Sequence, residues 1–130
     1  MQAKHYIKDG SGRMRRAHRV SEQQHHMALV KHLQVRTKPG VFWCHIPNGE
    51  YRAKVTAAIL SGMGVKRGVP DLLFIDNGKT FFLELKREGG RRSDAQNAVH
   101  AELRRAGAVV DTACGLDEAL DVLEAWGLIR

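Results

Sequence analysis

The sequence predicts an α/β fold in which a mixed central β-sheet carries helices on both faces. Three observations predict it. An Asn77-Gly78 pair lies between two apolar runs, the strongest short-range signal of a β-hairpin. Ser21-Glu22-Gln23-Gln24 and Ser93-Asp94-Ala95-Gln96 both read as capping boxes that open helices. The stretch after the hairpin reads strand, helix, strand, which implies a right-handed crossover and parallel pairing. The full order is α, β, α, β-hairpin, α, β, α, as one domain over residues 21–130 behind an arm of residues 1–20.

The arm carries Lys4, Lys8, Arg13, Arg15, Arg16 and Arg19 against one acid, Asp9, and Gly10-Ser11-Gly12 interrupts regular structure. Two readings fit it: a tail that tracks a polyanion's backbone, or a flexible solubilising terminus. The first helix starts at Ser21. At about 100° per residue, Glu22, His26, Leu29, Val30 and Leu33 share its inward stripe. Glu22 is then either an acid aimed at what the helix packs on, or a first-turn acid favoured by the helix dipole. Val41–Ile46 is an apolar strand ended by Pro47-Asn48-Gly49. A helix over residues 52–63 ends at Gly62-Met63-Gly64, and Val65-Lys66-Arg67-Gly68-Val69 is a basic approach to the hairpin.

The hairpin strands are Asp71–Ile75 and Phe81–Leu85, and Arg87–Arg92 is a basic, glycine-containing loop. The helix from Ser93 places Gln96, Val99, Leu103 and Ala106 on one stripe, with Gly107 as its C′ stop. Ala108–Ala113 is a strand, and Asp117 to Trp126 is a closing helix with Leu120, Leu123 and Trp126 inward. Trp43 and Trp126 read as core residues. His100 reads as a satisfied surface histidine in preference to one that flanks a site.

The chain has 130 residues, enough for one domain with a real core, and 43% hydrophobic content is ordinary for a globular protein. Lys and Arg number 21 against 14 Asp and Glu, for a net charge of +7. This balance favours a polyanionic partner, most often nucleic acid. No apolar run reaches the roughly 18 residues a membrane span needs. The N-terminus lacks the apolar core of a secretory signal. A cytoplasmic protein, with Cys44 and Cys114 as buried reduced thiols, is the expectation. Gly62-x-Gly64 follows no strand, and there is no GKS or GKT phosphate loop, so no organic cofactor is expected.

The chemistry is concentrated at Pro70-Asp71 and Glu84-Leu85-Lys86. With Asn77-Gly78 as a two-residue loop, paired residue numbers sum to 155, and Asp71 falls opposite Glu84. Opposed residues share a sheet face with Cβ atoms about 5 Å apart. Lys86 follows on the same face. Opposed like charges destabilise a sheet unless something offsets them, and a divalent cation is the natural candidate. Two carboxylates and a lysine on one patch read as metal-assisted phosphodiester hydrolysis. A three-residue loop would shift the register by one and separate the acids. Glu22 and Gln96 lie in first turns whose helices are able to point at the patch.

These motifs resemble the PD-(D/E)xK nuclease superfamily and, within it, the VRR-NUC (virus-type replication-repair nuclease) domain. The resemblance spans about Ser21 to Gly127. It rests on Glu22, Asn48-Gly49, Gly68-Val69-Pro70-Asp71-Leu72, Leu83-Glu84-Leu85-Lys86, Ser93 with Gln96 and His100, and Gly115-Leu116-Asp117-Glu118-Ala119. It implies a restriction-endonuclease-like fold and a Mg²⁺- or Mn²⁺-dependent deoxyribonuclease. Asp71, Glu84 and the Leu85 carbonyl are the implied metal ligands, Lys86 is implied in catalysis, and Glu22 and Gln96 lie at the site's edge. Free-standing members of this size resemble Holliday-junction resolvases, which implies a homodimer acting on branched DNA. The setting implied is replication and repair in a bacterial or phage-infected cell.

The mechanism expected on this basis has the metal acting as Lewis acid at a phosphate oxygen and activating a water. Lys86 orients the water or stabilises charge on the phosphate. Glu22 holds a second metal or a metal-bound water, and Gln96 positions the water or Lys86. Arg87, Arg91 and Arg92, with Lys66 and Arg67, contact the DNA backbone. The alternatives are a catalytically silent DNA-binding module and a sequence-specific restriction-type enzyme. The lack of an evident recognition insert weighs against the latter, and the intact Asp71, Glu84 and Lys86 weigh against the former.

Overall fold

The computed structural model of the protein describes residues 20–47 and 54–130, together with two short strands in the segment before them. Those strands, β1 (Tyr6–Lys8) and β2 (Met14–Arg16), pair antiparallel as a separate two-stranded sheet within the segment read as an arm. Asn48-Gly49, Gly10-Ser11-Gly12 and the expected start of the second helix lie outside the described residues.

The remaining elements follow the expected order. They are α1 (Glu22–Arg36), β3 (Phe42–His45), α2 (Lys54–Gly62), β4 (Leu72–Asp76), β5 (Lys79–Lys86), α3 (Asp94–Arg105), β6 (Val109–Cys114) and α4 (Leu116–Ala125). Helix α4 starts one residue before Asp117 and β6 ends one residue after Ala113. The sheet order is β3-β4-β5-β6, antiparallel up to β5 and parallel between β5 and β6. The hairpin register is set by Asn77 and Gly78, both in the left-handed region at φ 48° and 79°, as a two-residue type I′ loop requires. Asp76 pairs with Lys79, and the ladder runs without a slip to Leu72 and Leu83.

Strand alternation then divides β5 between two environments. Phe81, Leu83 and Leu85 are buried in the core with Leu72 and Phe74 of β4, Leu29 and Leu33 of α1, and Ala119 and Leu123 of α4. Each buried Leu or Phe side chain stabilises the fold by about 1.5–3 kcal/mol. Trp126 lies 5.1 Å from the Phe81 ring. The other face of β5 carries Phe82, Glu84 and Lys86, and α3 packs over the neighbouring β6. Helices therefore cover both faces. The C-terminal residues are held to the end of α1, where Arg36 Nε donates to the Arg130 carbonyl at 2.7 Å and Arg36 pairs with Glu124. Helix α2 buries none of its residues, and Val55, Ile59 and Met63 are exposed.

Three expectations need correction. His25, not His26, is the buried histidine of α1, because its Nδ1 accepts the Leu116 N–H at the start of α4, 3.1 Å away. Cys44 and Cys114 are half-buried free thiols, since β3 and β6 are the edge strands and leave each one open side. His100 is fully buried, because α3 turns it and Val99 toward the sheet. No helix among the described residues is long and apolar enough to cross a membrane.

Candidate active site

The site forms where the β4–β5 ladder ends. The register that pairs Leu72 with Leu83 carries Asp71 toward Glu84. At that step the main-chain ladder gives way, and Asp71 Oδ2 accepts the Leu85 N–H at 2.8 Å. The Asp71 carbonyl is held from the other side by the Ile46 N–H at 2.7 Å and by His45 Nδ1 at 2.8 Å. Asp71 is thus fixed at both its side chain and its main chain, between β3 and β5.

Glu84 is only 1% exposed. Its Oε1 accepts from Gln96 Nε2 at 2.7 Å and lies 3.4 Å from Lys86 Nζ. Its Oε2 is buried with no hydrogen-bond partner among the described residues. The Gln96 contact follows from the local sequence. Ser93 caps α3 through the Gln96 N–H, while Gln96 Oε1 accepts the Ser93 N–H at 2.8 Å. The capping box fixes the amide's oxygen, which leaves its nitrogen directed at Glu84. Gly68 brings the loop before Asp71 against this same turn: at φ +91°, a Cβ there would sit 2.5 Å from the Ala95 carbonyl oxygen. The Asp71 loop and the first turn of α3 are therefore packed backbone to backbone.

The electrostatics agree with the geometry. Burial, reinforced by the Asp71 charge and opposed by Lys86, pushes the Glu84 carboxyl up to about 7. Burial also raises Asp71, against the Leu85 N–H and the Lys86 charge. Glu22 is raised by burial and by Asp71, with Lys86 opposing. Three acids whose ionisation is opposed by burial, gathered around one ammonium, make a site that favours added positive charge.

The structure thus brings together Asp71, Glu84, Leu85, Lys86 and Gln96. Glu22, at the N-terminus of α1, feels the Asp71 and Lys86 charges. Yet no three His, Cys, Asp or Glu side chains among the described residues close into a metal-ligand cluster, so Glu22 stands at the edge. The donors suited to a cation are carboxylate oxygens of Asp71 and Glu84, to which the resemblance adds the Leu85 carbonyl, and an all-oxygen set of this kind would fit Mg²⁺ or Mn²⁺. The orphaned Glu84 Oε2 is the atom such an ion would satisfy. Of the basic residues, Lys66 pairs with Glu102 at 3.0 Å, while Arg67, Arg87, Arg91 and Arg92 are exposed.

Sequence reading missed His45 and its partner His26. Their rings meet edge to face at 4.4 Å beside Asp71, a contact between α1 and β3 that no local spacing announces. Burial, then His45, lowers the His26 pKa, with Glu22 opposing.

No protein-family model and no curated protein matches the sequence. Solved structures do match the fold. One, described as a VRR_NUC domain protein, superposes with a TM-score of 0.67 at 22% identity, over 82% of this chain and 88% of that one. Another, described as a VRR_NUC domain, gives a TM-score of 0.56 at 20% identity, over 81% and 96% of the two chains. The chain has the restriction-endonuclease-like fold of a VRR-NUC domain.

Proposed function

We propose that this chain is a divalent-metal-dependent deoxyribonuclease that cuts branched DNA as a homodimer. The observation that carries the reading is the convergence of Asp71, Glu84 and Lys86 on one sheet face, with Glu84 buried, held by Gln96 and left with one unsatisfied oxygen. The fold shared with structures described as VRR_NUC domains supports it. The net charge of +7 suits a polyanionic substrate. The selectivity for branched DNA and the dimer rest on the sequence resemblance, and on the lack of an evident insert for reading base sequence.

When bound, a Mg²⁺ or Mn²⁺ ion would supply Lewis acidity at the scissile phosphate and ease deprotonation of water. Asp71, Glu84 and the Leu85 carbonyl would hold it. Gln96 fixes the Glu84 carboxyl through one hydrogen bond, leaving Oε2 for an ion that would bind there. Lys86, held beside Glu84, faces the phosphate with a positive charge and orients the attacking water. Glu22 adds a carboxylate at the edge, suited to a second ion or an ordered water. Lys66, Arg67, Arg87, Arg91 and Arg92 contact the backbone on either side.

The test is a panel of labelled DNAs (duplex, single strand, 5′ flap, four-way junction) with and without Mg²⁺ or Mn²⁺, beside the Glu84→Ala and Lys86→Ala proteins. Metal-dependent cutting of a branched substrate, reduced at least about a hundredfold in both variants, is expected. Wild-type rates in either variant would refute the assignment. Retained DNA binding without cutting of any substrate would make the protein a binding module.

A further inference from the structure

His100 is fully buried one turn beyond Gln96, and the chemistry proposed above gives it no role. Its Nδ1 lies 3.3 Å from an Arg92 terminal nitrogen, Nη1. A guanidinium only donates, so Nδ1 accepts and the ring proton sits on Nε2, which is buried without a partner among the described residues. Burial, then the charges of Arg92, Arg104 and Lys86, lowers the His100 pKa to about 4, so the ring stays neutral and stays an acceptor. The same Arg92 nitrogen donates to Thr112 Oγ1 at 3.3 Å. One NH₂ group therefore serves two neutral acceptors.

The position of those acceptors gives the arrangement its meaning. Thr112 pairs with Glu84 across the parallel β5–β6 ladder. Arg92 is therefore anchored one strand, about 4.8 Å, from the Glu84 column, on the face that carries Lys86. Among the described residues no carboxylate pairs with Arg92. A carboxylate would hold a guanidinium more strongly but would cancel its charge. A neutral imidazole and a hydroxyl orient it and leave the charge and the rest of its five donors for an incoming anion.

We propose that Arg92 is a preorganised clamp for the DNA phosphate next to the scissile one, and that His100 and Thr112 are its positioning residues. That the anion is a DNA phosphate rests on the proposed nuclease function. Arg87 and Arg91 have no such anchors among the described residues and contribute general attraction.

The experiment measures binding of a short labelled DNA duplex in EDTA across a salt series, and steady-state cleavage of the preferred substrate with Mg²⁺. Arg92→Ala should bind about tenfold more weakly, with the slope of log affinity against log salt smaller by about one. Thr112→Val should bind about threefold more weakly and raise KM with kcat unchanged, and should have no further effect in the Arg92→Ala background. His100→Leu should behave like Thr112→Val, and His100→Asn should restore part of the loss. Because His100 is buried and its variants risk misfolding, the Arg92 and Thr112 variants decide. An unchanged affinity and slope in Arg92→Ala, or a Thr112→Val effect that simply adds to that of Arg92→Ala, would overturn the clamp. Wild-type protein that binds with an Arg92-dependent slope but never cuts would keep the clamp and remove the nuclease. Protein that cuts, with Arg92→Ala unchanged, would do the reverse. No DNA binding by the wild type would remove both.

Discussion

Glu84 places a carboxyl where the fold least favours a charge. It is 1% exposed, two of its neighbours share Oε1, and Oε2 has no partner among the described residues. An unsatisfied buried carboxylate is costly, and the protein answers by favouring its protonated form. The folded-state pKa rises from 4.5 to about 7, so the folded protein holds this proton more tightly than the unfolded chain. The stabilising contribution is complete below the unfolded value and is lost as pH rises through about 7. Glu84→Gln keeps the shape and the hydrogen bond from Gln96 but cannot ionise. Its stability advantage over the wild type should therefore grow between about pH 5 and about pH 8, by on the order of 2 kcal/mol. Urea unfolding of both proteins in EDTA at the two pH values checks this, and parallel pH dependences would refute it. Lys86, 3.4 Å from Oε1, tempers the effect without abolishing it.

The elements that were legible in the sequence are those fixed by local chemistry. Asn77-Gly78 sets a loop length with no slack, so the register to Leu72 and Leu83 follows, and with it the place of Asp71 near Glu84. Ser93 and Gln96 announce the start of α3, and the capping box itself aims the Gln96 amide at the acid. Side chains chosen by distant partners were illegible. A helical stripe does not separate His25 from His26; the Leu116 N–H of α4 selects His25. Nor does it show that α3 buries His100 under Arg92, or that β3 brings His45 onto the Asp71 carbonyl. The contact that joins two site elements is also non-local, and it yields a prediction. Gly68 sits at φ +91° with a would-be Cβ 2.5 Å from Ala95 oxygen, while Gly78 at φ +79° faces open space. Both alanine variants carry backbone strain of about 1 kcal/mol, but only Gly68→Ala must also push β4's entry away from α3. Gly68→Ala should cost at least about 1 kcal/mol more than Gly78→Ala in urea unfolding and should reduce DNA cleavage well beyond it. Equal costs with equal activity would show that this packing does not position the site.

At the scale of the whole molecule, a basic protein of net charge +7 surrounds a patch of three carboxylates, all raised above their ordinary range. The basic exterior suits a polyanion, and the acid centre suits a small cation. A cation that binds only the folded chain stabilises it by mass action, by about 2.7 kcal/mol at a hundredfold excess over its Kd. Because Asp71 and Glu84 bind protons more readily than free carboxyls, a cation bound at this centre would compete with protons. Mg²⁺ should therefore raise the unfolding temperature by several degrees near pH 8 and by little near pH 5, where Glu84 is protonated. The gain should largely vanish in Glu84→Gln, which removes a ligand charge and, with it, the proton competition. Scanning calorimetry of both proteins at the two pH values, with NaCl matched in ionic strength as the control, separates site binding from general screening. A Mg²⁺ shift that is the same at both pH values and survives in Glu84→Gln would place the ion elsewhere on the molecule. A shift confined to the wild type at the higher pH would tie the cation to the Asp71–Glu84 pair without reference to any cleavage assay.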